Sequence, residues 1–294
     1  MSSILVTGCS TGIGFVTALI NRSFVQRFRS GALARLLFIV GAALLQPDSL
    51  PAEPIAVRHM EGTVHGFLVL RTMDGKTLAT GDLVQTVQGE RLVSNLVFRF
   101  KDGSVDDETT VFSQRHNFRL LSDHHVQKGP SFQHPMDVSI NASAGVVTVR
   151  STDNGKEKVE TDHLDLPPDL ANGLLPNLPK NVPTDAAETK VSYLVATPKP
   201  RLVKLAISPQ GEETFSVADA SYRATRYAIK VELGALTGAV ARLTDRQPED
   251  THVWILVGKA PAVVRMEGQL YQGGPVWNIE LTSPVWQQTQ HSGK

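Results

Sequence analysis

The sequence predicts a mainly β protein: a long antiparallel meander curled into a half-barrel or clam, with one or two short helices and an N-terminal signal-like helix. Three observations predict it. From Glu61 onward, apolar and polar residues alternate with the period of two that marks a strand with one covered face. Asp74-Gly75, Gln88-Gly89 and Asp102-Gly103 break that alternation at fourteen-residue intervals. This spacing suits strands of about ten to twelve residues, longer than the usual five or six. Long, twisted antiparallel sheets curl, and few helical stretches exist here to cover one.

The bulk numbers bound the rest. At 294 residues the chain has room for one large domain or two ordinary ones, and 41% hydrophobic residues can build a real core. Formal charge is zero and no basic run with interleaved aromatics occurs, so nucleic acid is not an expected partner. A single cysteine, Cys9, rules out a disulfide within the chain and any multi-cysteine metal site.

Residues 1–52 carry two signals in conflict. Residues 4–14 make a strand-like run (Ile4, Leu5, Val6) and a glycine-spaced turn (Gly8, Gly12, Gly14). Four arginines, Arg22, Arg27, Arg29 and Arg35, then precede the first carboxylate, Asp48. Directly after Arg35 comes LLFIVGAALL, ten apolar residues. A bilayer-crossing helix needs about 20. A basic segment, a short apolar run and a polar stretch ending in a small residue form the layout of a secretory signal, here with cleavage after Ala52. The alternative is a single core helix. An export signal would remove residues 4–14, and its basic region is long if Met1 is the start. Translation from a non-methionine codon near Val25 or Leu33 reconciles the two. The expected location is then periplasmic or extracellular, with only transient membrane contact through the N-terminal segment; a working dinucleotide motif would instead mean the cytoplasm.

Thr7-Gly8-Cys9-Ser10-Thr11-Gly12-Ile13-Gly14 resembles the cofactor motif of the short-chain dehydrogenase/reductase family. The resemblance implies a dinucleotide site at Thr7, Gly8, Gly12 and Gly14, with the pyrophosphate on a helix N-terminus. It covers about eighteen residues. The strand–helix repeats such a fold requires do not follow. The family's catalytic tyrosine stands four residues before a lysine, and here Tyr193, Tyr222, Tyr227 and Tyr271 precede Thr197, Arg226, Val231 and Pro275. No cofactor is therefore expected.

Residues 53–294 read as one antiparallel β domain, with two strand runs (61–165 and 188–284) about a helix and linker over 166–187. In RLVSNLVFRFK, Leu92, Leu96, Phe98 and Phe100 share one face, and Asn95, Arg99 and Lys101 the other. Asn141 to Gly145 reads as a hairpin turn, and Asn154-Gly155 and Gln210-Gly211 as further turns. Past Pro167 and Pro168, Leu170, Leu174 and Leu175 share a helical side, with Asp169 as a fair N-cap. RLVKLAIS and RYAIKVEL alternate again, setting Val203, Leu205, Ile207, Tyr227, Ile229 and Val231 on the dry face. In LGALTGAVARLTD, Leu236, Val240 and Leu243 mark a second short helix. In HVWILV both faces are apolar, so this strand is central or covered twice. The signal-like start, the meander and the stretch from Tyr227 to Pro284, with Trp254 and Tyr271-Gln272-Gly273-Gly274-Pro275-Val276-Trp277, resemble uncharacterised bacterial exported proteins and, more distantly, the half-barrel lipoprotein carriers of the periplasm.

Candidate chemistry is sparse. His116, Asp123, His124, His125 and His134 tempt a zinc reading. Adjacent His124 and His125 point to opposite faces, and His116 and His124 lie about 25 Å apart on an extended strand, so no metal is expected. Asp106 and Glu108 form the co-facial pair of the Asp106-Asp107-Glu108 run, which reads as a solvated edge. Asp162 with Asp165 could supply another carboxylate pair, but they sit just before the expected helix. Ser143 lacks the glycine elbow of a nucleophile. Trp254, Trp277 and Trp286 read as core, with a binding mouth as the alternative. No catalytic residue is expected. The sequence-level reading is an exported, non-enzymatic β protein whose covered face takes an apolar ligand such as a lipid. A dehydrogenase relative and an envelope structural or interaction module are the alternatives, and oligomeric state is not encoded legibly.

Overall fold

The computed structural model describes residues 54–153, 156–195, 200–217, 219–232, 248–282 and 284–286. All lie in the unit Ser49–Lys294; the unit Met1–Asp48 falls outside the described residues. So do the dinucleotide-like turn, the signal-like run, Asn154-Gly155 and the helix expected over 233–245.

Among the described residues fifteen strands form one antiparallel sheet. Eight follow as a meander: β1 (Val64–Thr72), β2 (Thr77–Gln88), β3 (Arg91–Phe100), β4 (Val105–Gln114), β5 (Phe118–Lys128), β6 (Met136–Asn141), β7 (Val146–Asp153) and β8 (Lys156–His163). After the 166–187 stretch come β9 (Thr189–Val195), β10 (Arg201–Val217), β11 (Ala220–Glu232), β12 (Thr251–Leu256), β13 (Val263–Gln269), β14 (Val276–Leu281) and β15 (Pro284–Trp286). The second run returns to the first through β14, which pairs with β1. β9 and β15 share one edge of β10.

The sheet curls. Val147 and Val149 of β7 share a buried cluster with Tyr227 and Ile229 of β11. Those strands lie ten ladder steps apart. A flat sheet, at about 4.8 Å per step, would separate them by about 48 Å. Gln127 on β5 also donates to the carbonyl of Leu270, between β13 and β14, at 2.9 Å. The alternation read from the sequence therefore sorts correctly. Leu92, Phe98 and Phe100 are buried on the inner face, and β12 is central, with Val253, Trp254 and Ile255 all under 5% exposed.

Two elements differ from expectation. Gln210-Gly211 is not a turn but a bulge inside β10, where the register shifts between Pro209 and Glu212. Proline lacks the N–H a regular ladder needs, and a bulge is where a strand tolerates it. Residues 166–183 form turns and a single 3-10 helix, Leu178–Asn181, rather than an α-helix. Pro176, Pro179 and Pro183 deprive successive turns of donors. The segment is nevertheless buried: Leu170, Ala171, Leu174, Leu178 and Val182 join the main core. Its residues 169–171 run parallel to β9 at Ser192, and the Asn172 side chain both donates to and accepts from the Leu194 backbone, at 2.9 and 2.8 Å. The free edge of β9 is thus closed by the chain itself.

Candidate functional site

Ladder pairing lays the inner face out in rows. Leu83, Leu96, Glu108, His125 and Val138 follow one another across β2 to β6. On one side runs Gly81, Phe98, Asp106, Gln127 and Met136; on the other, Gln85, Ser94, Thr110, Asp123 and Ile140. Three consecutive inward pairs between β4 and β5 are thus polar, and buried Ser94 and Gln85 extend the outer of these rows onto β3 and β2. Leu92, Phe112 and Leu120 bury one end of it. At the other end Phe100, Phe132, Tyr271 and Trp277 meet edge-on or tilted, with centroids 5.4–6.4 Å apart.

The polar groups satisfy one another. His125 Nε2 lies 2.7 Å from Asp106 Oδ1, and Gln127 Nε2 donates to Asp106 Oδ2 at 3.0 Å. Thr110 Oγ1 donates to Asp123 Oδ1 at 2.9 Å. Glu108 Oε1 stands 3.8 Å from His125 Nδ1. Burial pushes the Glu108 carboxyl up to about 8; His125 opposes the rise, while Asp123 and Asp106 add to it. Burial disfavours the His125 cation, but Glu108, Asp106 and Asp123 outweigh that and hold the imidazole at about 9. Burial likewise raises Asp123, against its bond from Thr110. Tyr193, on β9, is raised by burial and then by the same three acids, so it faces them across the interior. Glu108, pushed up to about 8, thus stands beside an imidazole held at about 9 and bonded to Asp106.

An apolar strip on this face also stays partly open. Leu68, Leu83 and Leu96 are only half-buried, whereas Leu70, Leu92 and Phe98 around them are sealed. The side chains of Glu108 and His125 keep 23% and 19% exposure. A partly open apolar strip thus runs across β1 to β3 and ends at an ionisable pair. The rest of the inner face is not vacant, as the shortage of helices had implied: residues 166–183 cover the main core, and Phe132, Tyr271 and Trp277 fill the far end.

The sequence-level candidates land as follows. Asp106 and Glu108 are co-facial as expected, but they point inward and are not a solvated edge. His124 and His125 do face opposite ways: His124 is exposed, 3.0 Å from Asp137. His116, in the β4–β5 turn, and His134 are exposed too, so the five residues form no common site. Among the described residues no group of histidine, cysteine and acidic side chains could hold a metal ion. Asp162 is half-buried and Asp165 exposed. Asp169 caps no helix; it accepts from Ser192 at 3.0 Å and Lys204 at 3.2 Å. Asn141 to Gly145 is a hairpin turn, with Ser143 exposed. Trp254 and Trp277 are buried, Trp254 donating to Glu213 at 2.9 Å; Trp286's side chain is outside the described residues. Sequence reading missed Gln127, Thr110 and Tyr193. Thr7, Gly8, Gly12 and Gly14 lie outside the described residues. Among the described residues no helix is long and apolar enough to cross a membrane.

No family model and no curated protein matches this chain. A solved structure from Brucella abortus, a beta-barrel-like protein of the domain of unknown function DUF1849, is similar at a TM-score of 0.42 and 9% identity, over 78% of this chain and 100% of that one.

Proposed function

We propose that the protein is an exported β-sheet binding protein that takes an apolar ligand, such as a lipid or an acyl chain, on the inner face of its curled sheet. The observation that carries this reading is the half-buried strip of Leu68, Leu83 and Leu96, apolar surface left accessible inside an otherwise sealed core. Burying such surface is worth about 25 cal/mol per Å², enough for a chain of several methylenes to bind. Supporting it, the cover over the neighbouring inner face is a turn-rich segment rather than a helix or a second sheet, and it leaves this strip partly exposed. The export half of the proposal rests on the basic run and apolar stretch before Ala52.

Native mass spectrometry of protein purified from its own host tests the binding reading. The expected result is a bound apolar molecule, displaced in Leu96→Glu, which sets a charge in the strip. Protein that carries no such molecule and takes up no fluorescent fatty acid at micromolar concentration refutes it. Sequencing the mature N-terminus tests export: a start near Glu53 supports it, and an intact Met1–Gly14 segment overturns it.

A further inference from the structure

The tightest seat of the covering segment lies on the ionisable cluster. Gly173 has φ +65°, and a side chain added there would overlap Thr110 Oγ1 outright and come within 2.8 Å of Asp123 Oδ1. On either side of it the segment is held by groups that do not titrate near neutrality. Asn172 pairs with the Leu194 backbone, and Tyr227 Oη donates to the carbonyl of Val182 at 2.9 Å. The Thr110–Asp123 floor beneath Gly173 belongs to the cluster of Asp106, Glu108, Asp123 and His125; the segment also makes the Asp169–Lys204 and Lys180–Glu61 ion pairs.

We propose that Asp106, Glu108, Asp123 and His125 form a proton-controlled seat for residues 166–183, and that the segment loosens from the inner face as the cluster loses protons. The titratable groups facing the cluster are few. β4 supplies Asp106 and Glu108, β5 supplies Asp123 and His125, and β9 supplies Tyr193. β3 and β6 present only Ser94, Leu96, Phe98, Met136, Val138 and Ile140 along the same rows. His124 acts on Asp123 from the opposite face of β5.

The direction follows from charge. Near pH 6 Glu108 is neutral, and the His125 cation balances Asp106 at 2.7 Å. Above about 8 Glu108 ionises, and above about 9 His125 loses its charge. Ionised Glu108 then lies in the row between Asp106 and Asp123, with no cation among the inward groups of β3 to β6, in a site only partly reached by water. Like charges at such spacing repel strongly when poorly solvated. The repulsion falls on Asp123, the group beneath Gly173, and lifting the segment admits the water that relieves it. The proposal rests on the ligand-binding reading only in treating the segment as a separable cover; the movement it describes needs no ligand.

Hydrogen exchange on the full chain, without added lipid, tests it. Protection relative to intrinsic amide rates is read at pH 6, 7.5 and 9 for peptides spanning 169–182 and, as reference, 205–231. The expected result is a fall of tenfold or more in the first region between pH 6 and 9, with the reference unchanged. Glu108→Gln, which cannot ionise, should flatten that fall, whereas Asp137→Asn on the outer face should leave it intact. Protection of 169–182 that does not change with pH overturns the proposal, as does a parallel loss in both regions. Should Glu108→Gln not fold, the wild-type comparison still decides. Absence of bound lipid together with the expected exchange pattern would refute the ligand reading and leave the proton-controlled seat standing.

Discussion

Gly173→Ala is the sharpest perturbation of the inner-face cover. At φ +65° an L-residue meets its own carbonyl, at a cost of about 1–2 kcal/mol. The methyl would also collide with Thr110 Oγ1 and crowd Asp123 Oδ1, two buried atoms already committed to each other at 2.9 Å. Overpacking of a filled site costs about 1–3 kcal/mol. The expected loss is therefore about 2–5 kcal/mol, a large fraction of a domain's stability. Gly75→Ala separates the two contributions. Gly75 has φ +90° with nothing within 4 Å of an added methyl, so only the backbone cost of about 1–2 kcal/mol applies. Urea unfolding of both variants, with m compared to confirm that the exposed surface is unchanged, measures the difference. If Gly173→Ala costs no more than Gly75→Ala, the segment is not seated tightly on the β4–β5 floor.

Further expectations concern the same interior. Leu174→Ala, at 1% exposure in the main core, should cost about 2–5 kcal/mol by urea unfolding. Asn172→Ala leaves the Leu194 N–H and carbonyl unpaired on a buried edge and should cost about 2–4 kcal/mol, with faster exchange of the Leu194 amide. Lys180→Met strands Glu61, its partner at 2.6 Å with both side chains 9% exposed, at about 3–5 kcal/mol; adding Glu61→Leu should recover much of that loss. Stability should fall as pH rises from about 5 to 9. Glu108 keeps in the folded state a proton that the unfolded chain releases near 4.5, so its contribution declines from there and levels off above about 8. His125, raised from 6.5 to about 9, contributes stability fully present below 6.5 and lost as pH passes 9. Urea midpoints that rise over this range would refute both assignments.

Much of the site was within reach of the sequence. Once Leu96 and Phe98 are set on the dry face and Asp102-Gly103 is taken as the turn, hairpin pairing puts Glu108 opposite Leu96 and Asp106 opposite Phe98, hence inside. Charge type suggested a solvated edge, and register contradicted it. His125 follows less readily, because the β4–β5 turn at 115–117 contains no glycine and the strands slip by a bulge at Val111 and Phe112. Neither feature has a local signature.

By itself the sequence determined the strands, because side-chain alternation and turn glycines act over a few residues and need no distant partner. It also determined which face of β3, β10 and β11 would be dry. Only the tertiary structure decided that β14 closes onto β1, that residues 166–183 lie buried against β9 without an α-helix, and that Tyr193 faces the acids of β4 and β5. Those contacts join residues tens to hundreds of positions apart, and the free energy that selects them comes from apolar area buried when the sheet curls, a quantity no single segment contains.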